Sequence, residues 1–351
     1  MFGTARRAAV ATLVAGGIIV LAFALWKLRL ILALLFFSLI IAAAMRPGID
    51  WLARHRVPRP AGLALHYLAV IAVIVGGLTV AVPRAIDQVN RALSPNGKAQ
   101  IAQQAKNSTG IKHEVLVALQ KRLKHLPKSS KLLKPAAQVG VTAFEVIIGI
   151  FFTFAAAAYW IFERDKAIDL VCSLLPRPRR KLVRDTWDLI DAKLGAFVRG
   201  QALLILLVGT TLSLLFWAIG EPYWILVGAF AGLVEIVPVI GPLAAGGLAV
   251  AVGLTASAHV AVLAAVCVLA VRLCEDYLVM PRILGDAVGL SPLLVLVSVT
   301  AMGILFSGWA ILFAVPLAAV LVTLFDVVLR DVDPAEEQAP SLIFSARESE
   351  V

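Results

Sequence analysis

Residues 202–218 read Ala202-Leu203-Leu204-Ile205-Leu206-Leu207-Val208-Gly209-Thr210-Thr211-Leu212-Ser213-Leu214-Leu215-Phe216-Trp217-Ala218. No residue here carries a charge, so a helix built from the stretch has no face made for water. A soluble amphipathic helix shows an apolar stripe at 3.6-residue spacing with polar residues between. The block it belongs to, 200–219, instead has the ~18–20 apolar residues that cross a hydrocarbon core of about 30 Å.

Seven further blocks of this kind lie to either side, at 8–26, 28–44, 61–82, 140–162, 222–257, 258–280 and 291–329. Composition agrees: 61% of the 351 residues are hydrophobic and 15% charged, against roughly 45–50% and about 25% in soluble domains. Six blocks have the length of one span. At about 1.5 Å per residue, 222–257 and 291–329 would each reach over ~50 Å, too long for one crossing.

Both long blocks break near their middles, the first at Pro238 and Gly241-Pro242, the second at Ser307-Gly308. Pro and Gly favour a turn there. Each block is read as a helix–turn–helix hairpin within the membrane. Glu221-Pro222 opens one and Ser291-Pro292 the other, a capping residue followed by Pro at the first helical position. Pro-Leu-Ala-Ala recurs at 242–245 and 316–319, which raises an inverted repeat. The expectation is an all-α polytopic membrane protein of six single spans and two intramembrane hairpins.

The chain divides into an N-terminal three-span region (1–82), an external amphipathic helical segment (83–139), a fourth span with a cytoplasmic basic amphipathic segment (140–199), a transport-type core (200–330) and a disordered acidic tail (331–351). In 83–139 the residues Leu116, Leu119, Leu123 and Leu126 recur at helical spacing among Lys112, Lys121, Arg122 and Lys124. In 140–199 the stripe Trp187, Ile190, Leu194 and Phe197 has the same character.

The net charge of +10 is read as loop charge that orients the spans rather than as nucleic-acid affinity. Segments 45–60 and 163–199 are rich in Arg and Lys, so both belong on the cytoplasmic side of a bacterial-type inner membrane. Two spans separate them, and the parity agrees. Arg6 and Arg7 precede an apolar run too long for a signal peptide, so that run reads as a retained first helix. A turn at Lys27 to Arg29 then returns the chain, and both termini fall in the cytoplasm. The three cysteines, Cys172, Cys267 and Cys274, form no C-x-x-C or Cys/His cluster.

Walker, dinucleotide-binding, H-E-x-x-H and G-x-S-x-G motifs are lacking, which argues against an ATPase or a common membrane hydrolase. No cofactor or metal is expected. Ionisable residues inside apolar blocks are the informative ones, because each costs about 2.5–3.5 kcal/mol at a helix centre on the insertion scale. Glu235 lies just before the first expected tip, where Pro238 and Pro242 leave upstream carbonyls without helical partners. A carboxylate beside free carbonyls makes a cation or proton site; its competing reading is a structural pair with Arg272. Arg272, Glu275 and Asp276 fall three and four residues apart on one helix face, as an ion pair or a gate.

The C-terminal half resembles a known family. Glu235-Ile236-Val237-Pro238-Val239-Ile240-Gly241-Pro242-Leu243 resembles the I-P-x-x-G-P-L signature of the autoinducer-2 exporter family of permeases. Glu275 through Gly285 resembles its E-x-x-x-x-x-P-x-x-x-G stretch, and Gly289-Leu290-Ser291-Pro292 its G-L-x-P. Val315-Pro316-Leu317-Ala318-Ala319-Val320 is similar to its closing run, and Phe197-Val198-Arg199-Gly200-Gln201 to its Y-x-R-G-Q element. The similarity is strong over about 172–330 and looser over 8–165.

The resemblance implies homo-oligomers (pentamers in the family), elevator-like transport of a small solute such as a quorum-sensing signal, and sodium–proton exchange in some members. Glu235 departs from the Asn common at that position, which favours cation or proton coupling. The expected partners are the lipid bilayer and a small solute, monovalent cation or proton. Expected binding residues are Glu235, Pro238, Gly241, Pro242, Ser307 and Gly308, with Arg272, Glu275 and Asp276 as gate or ion pair. A cation–proton antiporter and a non-transporting membrane scaffold are the alternative readings; a scaffold tolerates loss of Glu235 and a transporter does not.

Overall fold

The structure is a computed structural model that describes residues 2–94, 103, 106, 114, 117, 133–238, 240–279, 290–306 and 308–337. Nine α-helices run through the described residues: α1 (Phe2–Arg54), α2 (Arg59–Leu93), α3 (Leu133–Ser173), α4 (Arg177–Ala218), α5 (Trp224–Val234), α6 (Ile240–Ala256), α7 (Ala258–Cys274), α8 (Pro292–Phe306) and α9 (Ala314–Leu329). A π-helical turn, Glu275–Val279, extends α7, and a 3₁₀ helix, Gly308–Phe313, joins α8 to α9. No strand occurs among the described residues. Among the described residues six helices are long and apolar enough to cross a membrane, so the expected all-α polytopic class holds. Leu13, Phe151, Leu243 and Ile304 point outward uncovered, as side chains facing lipid do.

The blocks 8–26 and 28–44 are one helix. α1 runs unbroken through Lys27 and Arg29 because no Gly or Pro there can end it. The turn expected at that point is not formed, and the cytoplasmic N-terminus expected from it loses its structural basis. The 53 residues of α1 span about 80 Å. Its N-terminal half is exposed from Val10 onward, and its C-terminal part from Ser38 packs on α3 and α4.

Pro47 lies inside α1. Lacking an N–H, it leaves the Ala43 carbonyl without its helical donor. Gly195 of α4 comes against that carbonyl so closely that a Cβ there would clash with it. One turn on, Arg199 Nη1 donates to the Ala44 carbonyl at 3.1 Å. Ile190, Leu194 and Val198 of the basic segment pack with Ile40 and Ala43 of α1.

An ion-pair network closes this end of the bundle. Buried Arg164 of α3 donates from Nε to Asp191 Oδ2 at 2.5 Å and from Nη2 to Asp188, both on α4. Arg46 of α1 lies 3.6 Å from both Asp191 and Asp50, and Arg59 at the head of α2 lies 3.9 Å from Asp50. The two basic segments, 45–60 and 163–199, therefore meet at one end of the molecule.

Helices α4 to α7 form the main core, around Val208, Leu212 and Phe216 of α4, Val227 and Ala231 of α5, Ala245 and Ala249 of α6, and Ala264 of α7. Small residues set the spacing, as they do where membrane helices approach closely. Gly228 of α5 packs on Ser213, Gly232 on Gly209, and Gly253 of α6 on the backbone at Ala261.

The start of the acidic tail contacts the bundle. Residues 331–337 turn back on α4, where buried Lys193 donates to Glu337 Oε1 at 2.6 Å and to Thr323 Oγ1 of α9 at 3.1 Å. The stripe at 116–126, apart from position 117, and the tail from 338 lie outside the described residues.

Candidate functional site

The first long block folds as two short helices in contact, α5 of 11 residues and α6 of 17. The turn between them, 235–239, is stitched by backbone bonds from Val237 N to Val234 O (3.0 Å), Ile240 N to Pro238 O (2.7 Å) and Gly241 N to Val237 O (2.9 Å). Residue 239 lies outside the described residues. Gly241 is where a side chain cannot go: a Cβ there would meet the Val234 carbonyl. Gly at this point lets α6 start directly over the last carbonyls of α5.

Glu235 follows the last residue of α5 and is 7% exposed. Facing it is the end of α7, where the backbone widens into the π-helical turn. Such turns recur at functional sites because they re-aim side chains out of the ordinary helical register. Arg272 Nη1 donates to Glu235 Oε1 at 3.1 Å and to Glu275 Oε2 at 3.2 Å, and Nη2 lies 2.9 Å from Asp276 Oδ1. Glu275 is 2% exposed.

One guanidinium thus faces three carboxyl groups, two of them buried. Low-dielectric surroundings do not tolerate two like charges side by side without compensation. Fully ionised, the cluster would set three negative charges against one positive. A cavity of about 10 Å³ lies beside the cluster, lined by Glu235, Arg272, Glu275, Pro242, Val208 and Leu212 among others. That is room for about one water molecule, or a bare monovalent ion, and far less than a sugar-sized solute needs.

The sequence reading named Glu235, Pro238, Gly241, Pro242, Arg272, Glu275 and Asp276, and these residues meet here. Gly308 does not: it is exposed, with open space where a side chain would stand, and none of the described residues of 290–329 bonds to the Glu235 cluster or lines its cavity. α8 and the 3₁₀ helix lie against α1, with the rings of Trp26 and Phe306 6.1 Å apart and those of Phe37 and Phe313 5.7 Å apart. Ser307 lies outside the described residues.

Gln201 was missed as a site residue. Its side-chain amide on α4 donates to the backbone carbonyl of Glu235 at 3.1 Å. The available signal was the Arg199-Gly200-Gln201 element, a polar residue at the edge of an uncharged span. The two hairpin-start signals separate in the structure. Ser291 Oγ accepts from Leu294 N at 3.3 Å as a cap should. Glu221 caps nothing, because α5 starts only after Tyr223, held in the left-handed region at φ 60°.

Residues 16–330 match a family model described as "AI-2E family transporter". Over 189 residues the chain is 26% identical to "Putative transport protein YrrI" of Bacillus subtilis (strain 168), a match covering 52% of this chain and 52% of that protein. Over 320 residues it is 26% identical to "Putative transport protein MT0215" of Mycobacterium tuberculosis (strain CDC 1551 / Oshkosh), covering 86% and 84%. It therefore spans about half the length of the first relative and most of the second.

Proposed function

The chain belongs to the AI-2E transporter family and is a multi-pass membrane protein, and from that premise we propose that it is a secondary transporter whose Glu235–Arg272–Glu275 cluster binds the coupling proton or monovalent cation. The observation that carries this reading is the excess of buried carboxyl groups around one guanidinium, at the turn between two short helices. Buried ionisable groups in membrane proteins mark ion pathways and proton relays.

The cargo in this reading is a small solute, with the family's quorum-sensing signal as the first to try. The α5–α6 unit carries the site across in an elevator-like movement, within a homo-oligomer. The basic end, where Arg46, Arg164 and Asp191 meet, faces the cytoplasm under the positive-inside rule. The pairing of Glu337 with Lys193 brings the C-terminal segment to that same face.

A cation–proton antiporter without a further solute is the second reading. The cavity beside the cluster, about 10 Å³, has the size of an ion site, which both readings require.

The test is proton flux in liposomes on adding sodium or potassium, wild type beside Glu235→Gln. Cation-dependent flux in the wild type, lost in the variant, supports ion coupling at this site. Equal flux in both removes Glu235 from the coupling step. No flux in either discards both ions and moves the search to neutral solutes.

A further inference from the structure

At the other end of α5 lies a carboxyl group the Glu235 site does not use. Glu221 follows Gly220 in the turn between α4 and α5 and is 2% exposed, and both carboxyl oxygens are buried without a hydrogen-bond partner among the described residues. Its backbone N–H donates to Phe216 O at 2.9 Å. Its neighbours Ile219, Tyr223 and Trp224 pack into the apolar cluster with Phe216 and Cys267. No described Lys, Arg or His pairs with it. The titratable group facing it from α7 is Cys267, and from its own turn Tyr223.

An ionised carboxylate enclosed this way has neither solvent, donor nor cation to offset its charge. Its surroundings are apolar side chains, so they offer no oxygen shell for a metal cation. A proton is the one occupant that fits without further ligands. The 11 residues of α5 put about 16 Å of helix between this carboxyl and the Glu235 cluster.

We propose that Glu221 is a second proton-binding site, loaded while the α4–α5 turn is closed and released to the water on that face when the turn opens. This site stands independently of whether Glu235 binds the coupling ion.

The pH dependence follows from burial, which pushes Glu221 up from 4.5 to about 7 in the closed turn. In the open turn it returns toward the ordinary value. Below about 4.5 both forms hold the proton. As pH rises toward about 7 the open form loses its proton first, so the closed turn weakens across that window and levels off above it.

Two measurements on the full-length protein in liposomes test this. Infrared difference spectra of wild type against Glu221→Gln should show a protonated-carboxyl band that disappears with a midpoint near pH 7; its absence at mildly acid pH overturns the proposal. Hydrogen exchange at 219–224 of the wild type, corrected for the intrinsic pH effect, should speed up as pH rises through the same window. A flat profile there overturns it too, even if the Gln variant fails to fold. Cys267→Ser should leave the exchange profile unchanged; a lost transition there would assign the titration to the thiol and sink the proposal.

Discussion

Arg272 reaches from the end of α7 to Glu235 at the end of α5, its Nη1 donating to Oε1 at 3.1 Å. The same nitrogen serves Glu275 at 3.2 Å, so a single cation joins two helices and holds two buried acids together. Its removal leaves buried carboxylates facing one another. The contact also ties the turn at Glu235 to α7.

Arg272→Met should therefore destabilise the protein. Leaving a buried charge without its partner costs about 3–5 kcal/mol, and with Arg272 itself 29% exposed the low end, about 3 kcal/mol, applies. Adding Glu235→Gln to the same chain removes one of the stranded charges and should restore part of the loss. Thermal unfolding in detergent micelles reads both. A double variant no more stable than Arg272→Met would show that the two side chains do not depend on each other.

Much of this was legible in the sequence, for physical reasons that differ by residue. Uncharged runs such as 202–218 announce spanning helices because lipid removes the need for a polar face. Glu235, Arg272 and Glu275 stood out because charge is rare in such runs. The continuity of α1 was not legible: Lys27 and Arg29 read as loop charge, yet a helix of good formers runs through two cations when neither Gly nor Pro stops it. Trp26 shows how one of them is accommodated, with the Arg29 guanidinium 4.4 Å from its ring centroid. Gln201 was also hidden, because its role lies in a backbone carbonyl 34 residues away, which no local pattern encodes. Glu221 was misread as a cap because Glu-Pro fits that signal, whereas the left-handed Tyr223 moves the helix start beyond it.

Gln201→Leu should weaken the hold of α4 on the turn. The Glu235 carbonyl comes after the last turn of α5 and takes its donor from the Gln201 amide. Leaving a buried acceptor unpaired costs about 1–3 kcal/mol. The expected outcome is a loss of that size in micelle unfolding together with reduced flux, while Gln201→Glu at acid pH, where the carboxyl can still donate, retains more activity. Unchanged stability and flux in Gln201→Leu would remove the amide from the site.

Two glycines of α6 make a paired test. A Cβ on Gly241 would run into the Val234 carbonyl, while Gly247 has nothing within 4 Å. Gly247→Ala should be neutral or stabilise by about 0.5–1 kcal/mol, since Ala suits a helix interior better than Gly. Gly241→Ala must push α6 away from the end of α5 and disturb the position of Glu235. Flux and unfolding of the two variants should diverge, with Gly241→Ala the damaged one. Similar behaviour would mean that the close approach at the turn is not required.

The pairing of Lys193 with Glu337 predicts an asymmetry. Lys193 is 5% exposed while Glu337 is 34% exposed, so the two halves of the pair do not depend on each other equally. Glu337→Ala leaves the ammonium group with the Thr323 hydroxyl at 3.1 Å as its partner among the described residues, a loss near the low end for broken buried pairs, about 3 kcal/mol, since Glu337 is partly exposed. Lys193→Met fills the same space without charge and leaves Glu337 free to turn to water, so its effect should be near neutral. The double variant Lys193→Met with Glu337→Ala should resemble Lys193→Met rather than add to it, because the damage in Glu337→Ala is the unpaired cation and not the missing acid. Unfolding midpoints of the three variants in micelles, with protease sensitivity of the C-terminal segment beside them, decide the matter. Equal losses in both single variants would mean that the pair acts only as a strap holding the C-terminal segment to α4, with burial of the lysine playing no part.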